Sequence, residues 1–423
     1  MQHCQPNCLV LQKTLMKNKT IKDSVPDVIY VENDKAGLQA WLGIDSLVSN
    51  RSCGGLRMTS DVSGEEITAL AKVMTLKYGF LGLPHGGAKA GILCEDDAPA
   101  EKKAHLLKIF AQQIKPFLEQ RLYSPHVDMG ITRNDIHSML KAVGISLPRK
   151  ALISEKSGWY TGLTVIESIS CAAKFCQMDL SGLTAAIEGF GKVGASVAYG
   201  LSRRGVKIIG VSTSKGAVHS SKGLDVEQLI YLSKRYGSDF VNYCSGFSDN
   251  IDMSEILMLP VDILSPCARS YSITIENVSE IKARIIVPGA NIPITKEAES
   301  KIFDKEIFCV PDFIANAGGV LGGTMEFAGI KESGIKDFVS TLYAQEVMKI
   351  LQKSEKKSCN PCYIAEQIAS ERFLRVKNIA ENKSPKNKLF LSALSLYRHG
   401  FIPEIFIRNR SKKYFQNRMK GIY

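Results

Sequence analysis

The sequence predicts an α/β protein of two domains, the second of which is a doubly wound parallel sheet. Its 423 residues are too many for one ordinary core, at roughly 150 residues per domain. A strand, a glycine-rich turn and a helix follow one another from about residue 183, and the strand-like segments "VDILSPC", "ARIIVPGAN" and "IFCVPDF" come later, separated by helical patterns. This alternation is typical of a parallel sheet covered by helices.

The glycine-rich turn predicts a dinucleotide site. Gly189, Gly191 and Gly194 form G-x-G-x-x-G in "GFGKVG", with Lys192 and Val193 before the third glycine. Between a strand and a helix, this pattern lets backbone amides and a helix N-terminus hold a pyrophosphate. A tight turn without a ligand is the alternative.

The end of the next strand bears on the choice of cofactor. An acidic residue about 20 positions after the glycines would bind the adenosine ribose. Thr213 stands there, within "VSTSKG", and Ser212, Ser214 and Lys215 surround it. Because no carboxylate would repel a 2′-phosphate, the sequence favours NADP or dual use over strict NAD. The alternative is that Thr213 simply ends a strand.

The N-terminal part is predicted to form a domain of its own. Residues 63–80, "SGEEITALAKVMTLKYGF", have apolar side chains at helical spacing, with Ser63 three before Glu66 as in a capping box. The turn-rich stretch "ISLPRKALISEKSGWYTG" places a boundary near residue 155, which gives domains 1–155 and 156–334. From about residue 335 the pattern is mainly helical.

Composition narrows the class of protein. The hydrophobic fraction is 45%, the charged fraction is 23%, and no apolar run reaches the roughly 18 residues that span a membrane. The net charge is +12, but the one dense basic stretch is the C-terminal "IRNRSKKYFQNRMKGIY", so we expect neither a nucleic-acid nor a membrane partner. Residues 1–22 read as a frayed basic terminus. The eleven cysteines without a secretory signal indicate reduced thiols in a cytoplasmic protein, and no zinc site completes the one C-x-x-C pair.

A lysine in an apolar, glycine-rich stretch is the main catalytic candidate. Lys89 lies within "GLPHGGAKAGI" at 82–92. A buried lysine has a lowered pKa and can act as acid, base or nucleophile near neutral pH. The alternative is a surface lysine at the tip of a turn.

The sequence resembles the glutamate/leucine/phenylalanine/valine dehydrogenase superfamily, and glutamate dehydrogenases most closely. The matching stretches occur in the family's order between about residues 50 and 330. They are "GGLRM", "MTLKYG", "LPHGGAKAGI", "VDMG", "TGLTV", "IEGFGKVG", "SKGAVHSSKGLD", "PGANIPIT" and "VPDFIANAGGV". Such an ordered set is more specific than any single motif.

The resemblance implies an NAD(P)-dependent oxidoreductase of amino-acid metabolism that acts on the CH–NH2 group. The first domain would bind substrate and form a homo-oligomer such as a hexamer, and helices from about 335–423 would pack back on it. Lys89 and Asp128 would be catalytic, and Lys77 would bind the substrate α-carboxylate. Thr161, Asn291 and Asn316 would lie at the nicotinamide. Alternatively, Lys77 is an exposed helix-end lysine and Asp128 is a helix cap.

Two positions depart from the family pattern where glutamate-specific members bind the side-chain carboxylate. Cys53 stands where those members have a lysine before the "GGLRM" stretch that contains Gly55, and Gly323 stands where they have a serine. Neither supplies a charge, which argues for a less acidic substrate or for recognition by Arg57 or Thr324. Smaller departures are Ile131 and Leu163.

These observations predict reversible oxidative deamination of an L-amino acid to a 2-oxo acid and ammonium, with glutamate or a less acidic amino acid as substrate. A strict glutamate dehydrogenase with an altered pocket is one alternative. The other is a weak or inactive nucleotide-binding paralogue with a regulatory role. Substrate, choice of NAD or NADP, oligomer size and the role of the basic tail stay open at this point.

Overall fold

The computed structural model describes residues 28–147, 154, 156–382, 392–393 and 395–422. The contacts divide the chain into two compact units. Among the described residues, unit 1 comprises 28–78, 84–147 and 377–382, and unit 2 comprises 79–83, 154, 156–376, 392–393 and 395–422. The basic segment 1–22 and the boundary predicted near residue 155 lie outside the described residues.

Unit 1 contains a five-stranded mixed sheet in the order β1-β2-β4-β3-β5. Strand β3 runs parallel to its two neighbours, β4 and β5. Strand β2 runs antiparallel to its two neighbours, β1 and β4. The five strands are β1 (Val28–Asn33), β2 (Leu38–Ile44), β3 (Ser52–Thr59), β4 (Gly86–Leu93) and β5 (Ser124–Val127).

Helices cover this sheet, and the longest of them is the one predicted at 63–80. The helices of unit 1 are α1 (Gly64–Leu81), α2 (Ala100–Gln113), α3 (Lys115–Glu119) and α4 (Arg133–Ala142). Helix α1 packs closely on β4. The close approach is seen at Gly87, where an added Cβ would lie 2.3 Å from the Thr75 nitrogen and 2.4 Å from the Ala71 oxygen. The face of β4 that carries Gly87, Lys89 and Gly91 therefore faces α1.

Unit 2 contains a seven-stranded sheet in the order β12-β11-β10-β6-β7-β8-β9. The first five strands in that order are parallel, and β8 and β9 add an antiparallel edge. The seven strands are β6 (Thr184–Glu188), β7 (Lys207–Thr213), β8 (Gly216–His219), β9 (Asp249–Ile251), β10 (Ile263–Pro266), β11 (Ile285–Ile286) and β12 (Phe308–Cys309). The predicted fold class is confirmed.

Helices and apolar cores lie on both faces of this sheet. One buried cluster includes Val165, Ile187 and Val197, and a second includes Ala186, Leu264 and Ile286. Since Ala186 and Ile187 are adjacent in β6, their side chains enter opposite cores. The helices are α5 (Ser157–Phe175), α6 (Lys192–Ser202), α7 (Val226–Tyr236), α8 (Lys296–Asp304), α9 (Asp312–Ala315) and α10 (Gly318–Phe327).

Four helices and one π-helical turn follow α10 in the part of the C-terminal region that the structure describes. They are α11 (Glu332–Phe338), a π-helical turn (Val339–Tyr343), α12 (Ala344–Lys356), α13 (Pro361–Glu381) and α14 (Glu404–Met419). Most of them belong to unit 2, because the Cys171 thiol of α5 contacts the Ala344 oxygen at 3.4 Å and Arg372 donates to the Phe80 oxygen at 3.1 Å. Residues 79–83, at the end of α1, join unit 2 with them. The predicted domain limits stay a prediction.

In the part of the chain that the structure describes, no helix combines the length and the apolar character needed to cross a membrane.

Candidate active site

The first candidate site is a buried ion pair in unit 1. Lys89, on β4, is 1% exposed, and Asp128 directly follows β5. The Lys89 Nζ donates a hydrogen bond to the Asp128 Oδ2. Sequence reasoning left open a surface position for Lys89, and that alternative is wrong.

Arg57 and Glu66 extend this pair into a chain of alternating charges. The Arg57 Nε donates to Asp128 Oδ1 at 3.2 Å, and its guanidinium binds Glu66 Oε1 at 2.5 Å. The Met129 backbone amide also donates to Asp128 Oδ1, at 2.7 Å. Since β3 lies between β4 and β5, Arg57, Lys89 and Asp128 meet on one region of the sheet although they are far apart in sequence.

The surroundings shift the proton affinities of both members of the pair. Burial lowers the pKa of Lys89, and the attraction of Asp128 only partly offsets burial. For Asp128, burial alone would raise the pKa, but the Lys89 and Arg57 cations outweigh burial and hold the pKa of that carboxyl well below its usual range. The substrate-free site therefore favours an ionised Asp128.

Gly55 is the residue that makes room for Asp128. A Cβ at Gly55 would lie 2.6 Å from the Asp128 Oδ2, so a larger residue would displace the carboxylate. Asp128 is not the cap of the following helix, contrary to the alternative considered above. Thr132 caps α4, in a reciprocal capping box with Asp135.

Helix α1 brings two further charged side chains into unit 1. Lys77 is only 5% exposed, so the alternative of an exposed helix-end lysine is wrong. Glu66 has a role that sequence reasoning missed. Its backbone nitrogen donates to the Ser63 hydroxyl at 3.2 Å, as a capping box requires, but its carboxylate binds Arg57. Arg57, proposed as a ligand for a substrate side chain, is thus already paired with Glu66 and Asp128.

Cys53 lies two residues before Gly55 on β3. Cys53 is buried, and the Tyr78 hydroxyl of α1 donates to its backbone oxygen at 3.4 Å. Tyr123 is 1% exposed, and its hydroxyl has no hydrogen-bond partner among the described residues. Nothing in the sequence pattern distinguishes Tyr123 from an ordinary core tyrosine. His126, on β5, is held neutral, because burial lowers its pKa to about 4.

A second candidate site is the turn between β6 and α6 in unit 2. The three glycines have three different roles there. Gly189 has a φ of +86°, and a Cβ at Gly194 would lie 1.8 Å from the Gly189 oxygen. A Cβ at Gly191 would have no described atom within 4 Å, so its backbone faces open space. Lys192 and Val193 begin α6, with their amides in its first turn. A pyrophosphate would fit against this exposed backbone.

Thr213 ends β7, as the sequence predicted. Its hydroxyl donates to the Ser238 oxygen at 2.8 Å, and the Ser212 hydroxyl accepts from the Gly189 amide at 3.0 Å. Both hydroxyls are therefore engaged within the fold. Ser214 and Lys215 are exposed, which leaves them as the groups of this stretch that could meet a 2′-phosphate.

The three residues expected at the nicotinamide all lie in unit 2. The Asn316 side-chain nitrogen donates to the Ala290 oxygen at 2.8 Å and to the Asn291 side-chain oxygen at 3.2 Å. The Asn316 Oδ1 is buried and has no partner within the described structure, so it can accept from a ligand amide. The Thr161 hydroxyl donates to the Ser157 oxygen at 2.9 Å, in the first turns of α5.

Gly323 is buried on α10, where a Cβ would make only an ordinary contact of 3.4 Å with Ser154. The hydroxyl of the neighbouring Thr324 donates to the Val320 oxygen at 2.7 Å. A larger residue would therefore fit at Gly323, and Thr324 bonds within its own helix.

Sequence reasoning also missed Glu188, the last residue of β6. Burial raises its pKa to about 7, and Ser272 donates a hydrogen bond to its carboxylate at 3.0 Å. A buried acid directly before the glycine turn adds a titratable group beside that turn. Within the described residues, no group of three His, Cys, Asp or Glu side chains could hold a metal ion.

A doubly wound sheet with an open glycine turn, carried on one chain with a buried lysine–aspartate pair, defines the architecture of a dinucleotide-dependent enzyme. The sequence matches the family Glutamate/Leucine/Phenylalanine/Valine dehydrogenase over residues 154–383 and the Glu/Leu/Phe/Val dehydrogenase dimerisation domain over residues 28–144. The chain belongs to this family, and the resemblance drawn from its motifs is confirmed.

The names of two curated relatives specify different cofactors. The chain is 34% identical to the NAD-specific glutamate dehydrogenase of Staphylococcus aureus over 283 residues, which is 63% of this chain and 66% of that protein. It is 30% identical to the NADP(+)-dependent glutamate dehydrogenase of Pyrobaculum calidifontis over 288 residues, covering 65% of this chain and 68% of the relative. The chain thus spans about two thirds of the length of the curated relatives that it matches.

Solved structures share the fold at lower identity. The hetero-hexameric glutamate dehydrogenase of Thermus thermophilus in its Leu-bound form superimposes with a TM-score of 0.70 at 21% identity, over 84% of this chain and 90% of that one. The L-tryptophan dehydrogenase of Nostoc punctiforme gives 0.57 at 21% identity, over 84% and 97%. Roles of individual residues in this chain stay predictions.

Proposed function

We propose that this protein is an NAD(P)-dependent amino-acid dehydrogenase that converts an L-amino acid reversibly to a 2-oxo acid and ammonium. The observation that carries the proposal is the buried Lys89–Asp128 pair of unit 1, present in a chain whose unit 2 has an open glycine turn. The two are the protein groups that oxidative deamination needs: a proton-transfer pair and a holder for a hydride acceptor.

The residues of unit 2 fit a nicotinamide dinucleotide. The open backbone at Gly191 and the first turn of α6 would bind the pyrophosphate, and the unpartnered Asn316 Oδ1 would accept a hydrogen bond from the carboxamide. Bound NAD(P)+ would supply the hydride acceptor for the substrate Cα. Lys215 and Ser214 favour NADP or dual use, as expected from the absence of an acid at Thr213.

In unit 1, Lys77 would bind the α-carboxylate of the amino acid. Asp128 would accept a proton from the substrate ammonium as hydride leaves Cα, which gives an iminium ion. A neutral Lys89 would then assist the attack of water on that carbon, and Asp128 would return a proton so that ammonia can leave. Each group acts from a position that burial and its neighbours hold in place.

The pKa shifts of Lys89 and Asp128 affect the two proton-transfer steps. The lowered pKa of Lys89 is the direction that the attack of water requires. The lowered pKa of Asp128 makes it a weak base in the substrate-free site. Because Lys89 is one of the two cations that lower it, loss of the Lys89 proton raises the basicity of Asp128. The two titrations are coupled, and the pair acts as a unit.

The expected substrate is glutamate or a less acidic amino acid. The curated relatives described above are named glutamate dehydrogenases, and a fold neighbour is an L-tryptophan dehydrogenase. We also propose a homo-oligomer and a cytoplasmic location. The alternative function is a nucleotide-binding paralogue with little or no activity, which would retain dinucleotide binding without turnover.

A spectrophotometric panel tests the proposal. The full chain is mixed with ammonium, a series of 2-oxo acids, and NADH or NADPH, and the oxidation of the cofactor is followed. We expect turnover with at least one acid, and a loss of at least about 100-fold in kcat for Lys89→Ala. Lys72→Ala, at an exposed position of α1, is the matched control and should keep full activity. Unchanged turnover in Lys89→Ala would refute the role of Lys89, and dinucleotide binding without any turnover would favour the paralogue.

A further inference from the structure

We propose that residues 396–422 form a docking surface for an anionic lipid bilayer, with Phe401, Ile405 and Phe406 entering the bilayer interface and nearby lysines meeting the lipid phosphates. This segment belongs to unit 2, and the family match ends before it, at residue 383. The contact is peripheral and needs no membrane-spanning helix. It departs from the expectation, drawn from the sequence, that the protein has no membrane partner.

The three most exposed large apolar side chains among the described residues lie close together in this segment. Phe401 is 75% exposed, Phe406 is 71% exposed and Ile405 is 69% exposed. Leu396 and Ile422, in the same segment, are exposed as well. Apolar surface is driven out of water, so a cluster of protruding apolar side chains marks a surface that contacts another body.

Specific contacts hold this segment on unit 2. Ser411, Phe415 and Met419 are buried at intervals of four residues, so one side of α14 packs on the unit. The Arg408 Nε donates to the Gly329 oxygen at 2.9 Å, just beyond the end of α10. The exposed apolar side chains are therefore presented from an anchored helix.

The segment also carries half of the net positive charge of the protein. Residues 396–422 contain seven Lys or Arg and a single acid, Glu404, which gives +6 of the total of +12. Lys412, Lys413 and Lys420 are exposed, and none of them forms an ion pair with a described residue. These lysines are available to an anionic partner.

Apolar and cationic side chains share one side of α14. Lys412 and Lys413 follow Ile405 and Phe406 by seven residues, which is two helical turns and about 10 Å along the axis. Elements that lie in a bilayer interface bury their apolar side chains by about 5–10 Å and keep Lys and Arg among the headgroups. The spacing fits a helix that approaches the bilayer with its first turn leading.

Charge and chemistry disfavour the other occupants of this surface. Two copies of the segment facing each other would bring like charges together. Residues 1–22 and 383–391, outside the described part, contain four and three lysines and no acid, so they would be repelled too. A nucleic acid would neutralise the lysines but would leave the aliphatic Ile405 in water. An anionic bilayer satisfies both the cations and the apolar side chains.

Cosedimentation of the full chain with lipid vesicles tests the proposal. One set of vesicles contains phosphatidylcholine alone, and the other contains equal parts of phosphatidylcholine and phosphatidylglycerol. We expect at least about tenfold tighter binding to the anionic vesicles, and weaker binding at about 1 M salt, where the Debye length falls to about 3 Å. Equal binding to both sets would overturn the inference. Binding to neither set would overturn it too, and would leave an acidic protein as the partner to seek.

Two double variants separate the apolar and the cationic contributions. Phe401→Ser with Phe406→Ser should weaken binding to anionic vesicles at least about tenfold, because two phenyl rings no longer leave water. Lys412→Gln with Lys413→Gln should weaken it about 30-fold and reduce its dependence on salt. Wild-type binding in either double variant would contradict the assignment. The four positions are exposed, so both variants should fold as the wild type does.

Matched controls use the same residue types elsewhere in unit 2. They are Phe303→Ser, at an exposed phenylalanine of α8, and Lys356→Gln with Lys357→Gln, at two adjacent exposed lysines. Neither should change vesicle binding, and losses equal to those of the test variants would overturn the inference. Sizing chromatography completes the test. A smaller oligomer in Phe401→Ser with Phe406→Ser would place this surface between copies of the chain and would also overturn it.

Discussion

The substitution Gly191→Ala should leave the stability of the free protein intact while it weakens binding of the cofactor. Gly191 has φ −81° and ψ −161°, which alanine adopts without strain, and no described atom lies within 4 Å of a Cβ at this position. Replacing glycine by alanine at such a compatible position stabilises a protein by about 0.4–1 kcal/mol. The free protein should therefore fold as well as the wild type or slightly better.

The same methyl group should obstruct the cofactor. A pyrophosphate that approaches the turn within hydrogen-bond distance would meet the new Cβ and lose at least one bond to a backbone amide. Hydrogen bonds to charged groups contribute about 1.5–3 kcal/mol, which corresponds to a rise in Kd of about 10- to 150-fold. We expect a loss of this size for both NADH and NADPH.

Titration of protein fluorescence with each cofactor measures the effect, and thermal melting monitors the fold. Gly246→Ala is the matched control, because a Cβ at Gly246 would also have no described atom within 4 Å and Gly246 does not have a positive φ. Wild-type affinity in Gly191→Ala would refute the assignment of this turn as the pyrophosphate site. In Gly194→Ala, by contrast, the Cβ would overlap the Gly189 oxygen at 1.8 Å, so loss of binding there would come with loss of stability.

Three other substitutions test single groups. Asp128→Asn should lower kcat at least about 100-fold without changing the Kd of NADH, and activity near the wild-type level would contradict its role in proton transfer. Lys215→Glu should weaken NADPH binding about tenfold and NADH binding less than threefold, whereas the exposed control Lys301→Glu should affect neither; equal losses would contradict the 2′-phosphate contact. Glu188→Gln should stabilise the protein in a pH-dependent way. Burial raises the pKa of Glu188 from 4.5 to about 7, so the wild type loses stability as pH rises through this range, by about 3 kcal/mol in full. Melting temperatures should differ more at pH 8 than at pH 5, and an equal difference at both would refute this account.

The glycine turn shows how much of a local motif the sequence can predict. The spacing of the glycines between a strand and a helix depends only on nearby residues, and the sheet, the turn and α6 formed as expected. The end of β7 at Thr213 was predicted for the same reason. The hydrogen bonds of the Ser212 and Thr213 hydroxyls were not predicted, because their partners, Gly189 and Ser238, are more than twenty residues away in the sequence.

The network of Arg57, Glu66, Lys89 and Asp128 shows what could not be predicted from the sequence. Sequence reasoning placed Lys89 and Asp128 in one site through the family resemblance, yet it gave Glu66 only a capping role and offered Arg57 to the substrate. The register of β3, β4 and β5 brings Arg57 to Asp128, and the packing of α1 brings Glu66 to Arg57. These long-range pairings determine which charges are already neutralised.

By itself, the sequence determined the α/β class, the glycine turn between β6 and α6, the buried helix face of α1 and the family, because these depend on short-range periodicity and on ordered motifs. Only the tertiary structure decided that Lys89 and Lys77 are buried, that Arg57 is paired, and that the Tyr123 hydroxyl lacks a partner in the described residues. Burial and pairing depend on neighbours supplied by distant segments, and no local pattern encodes them.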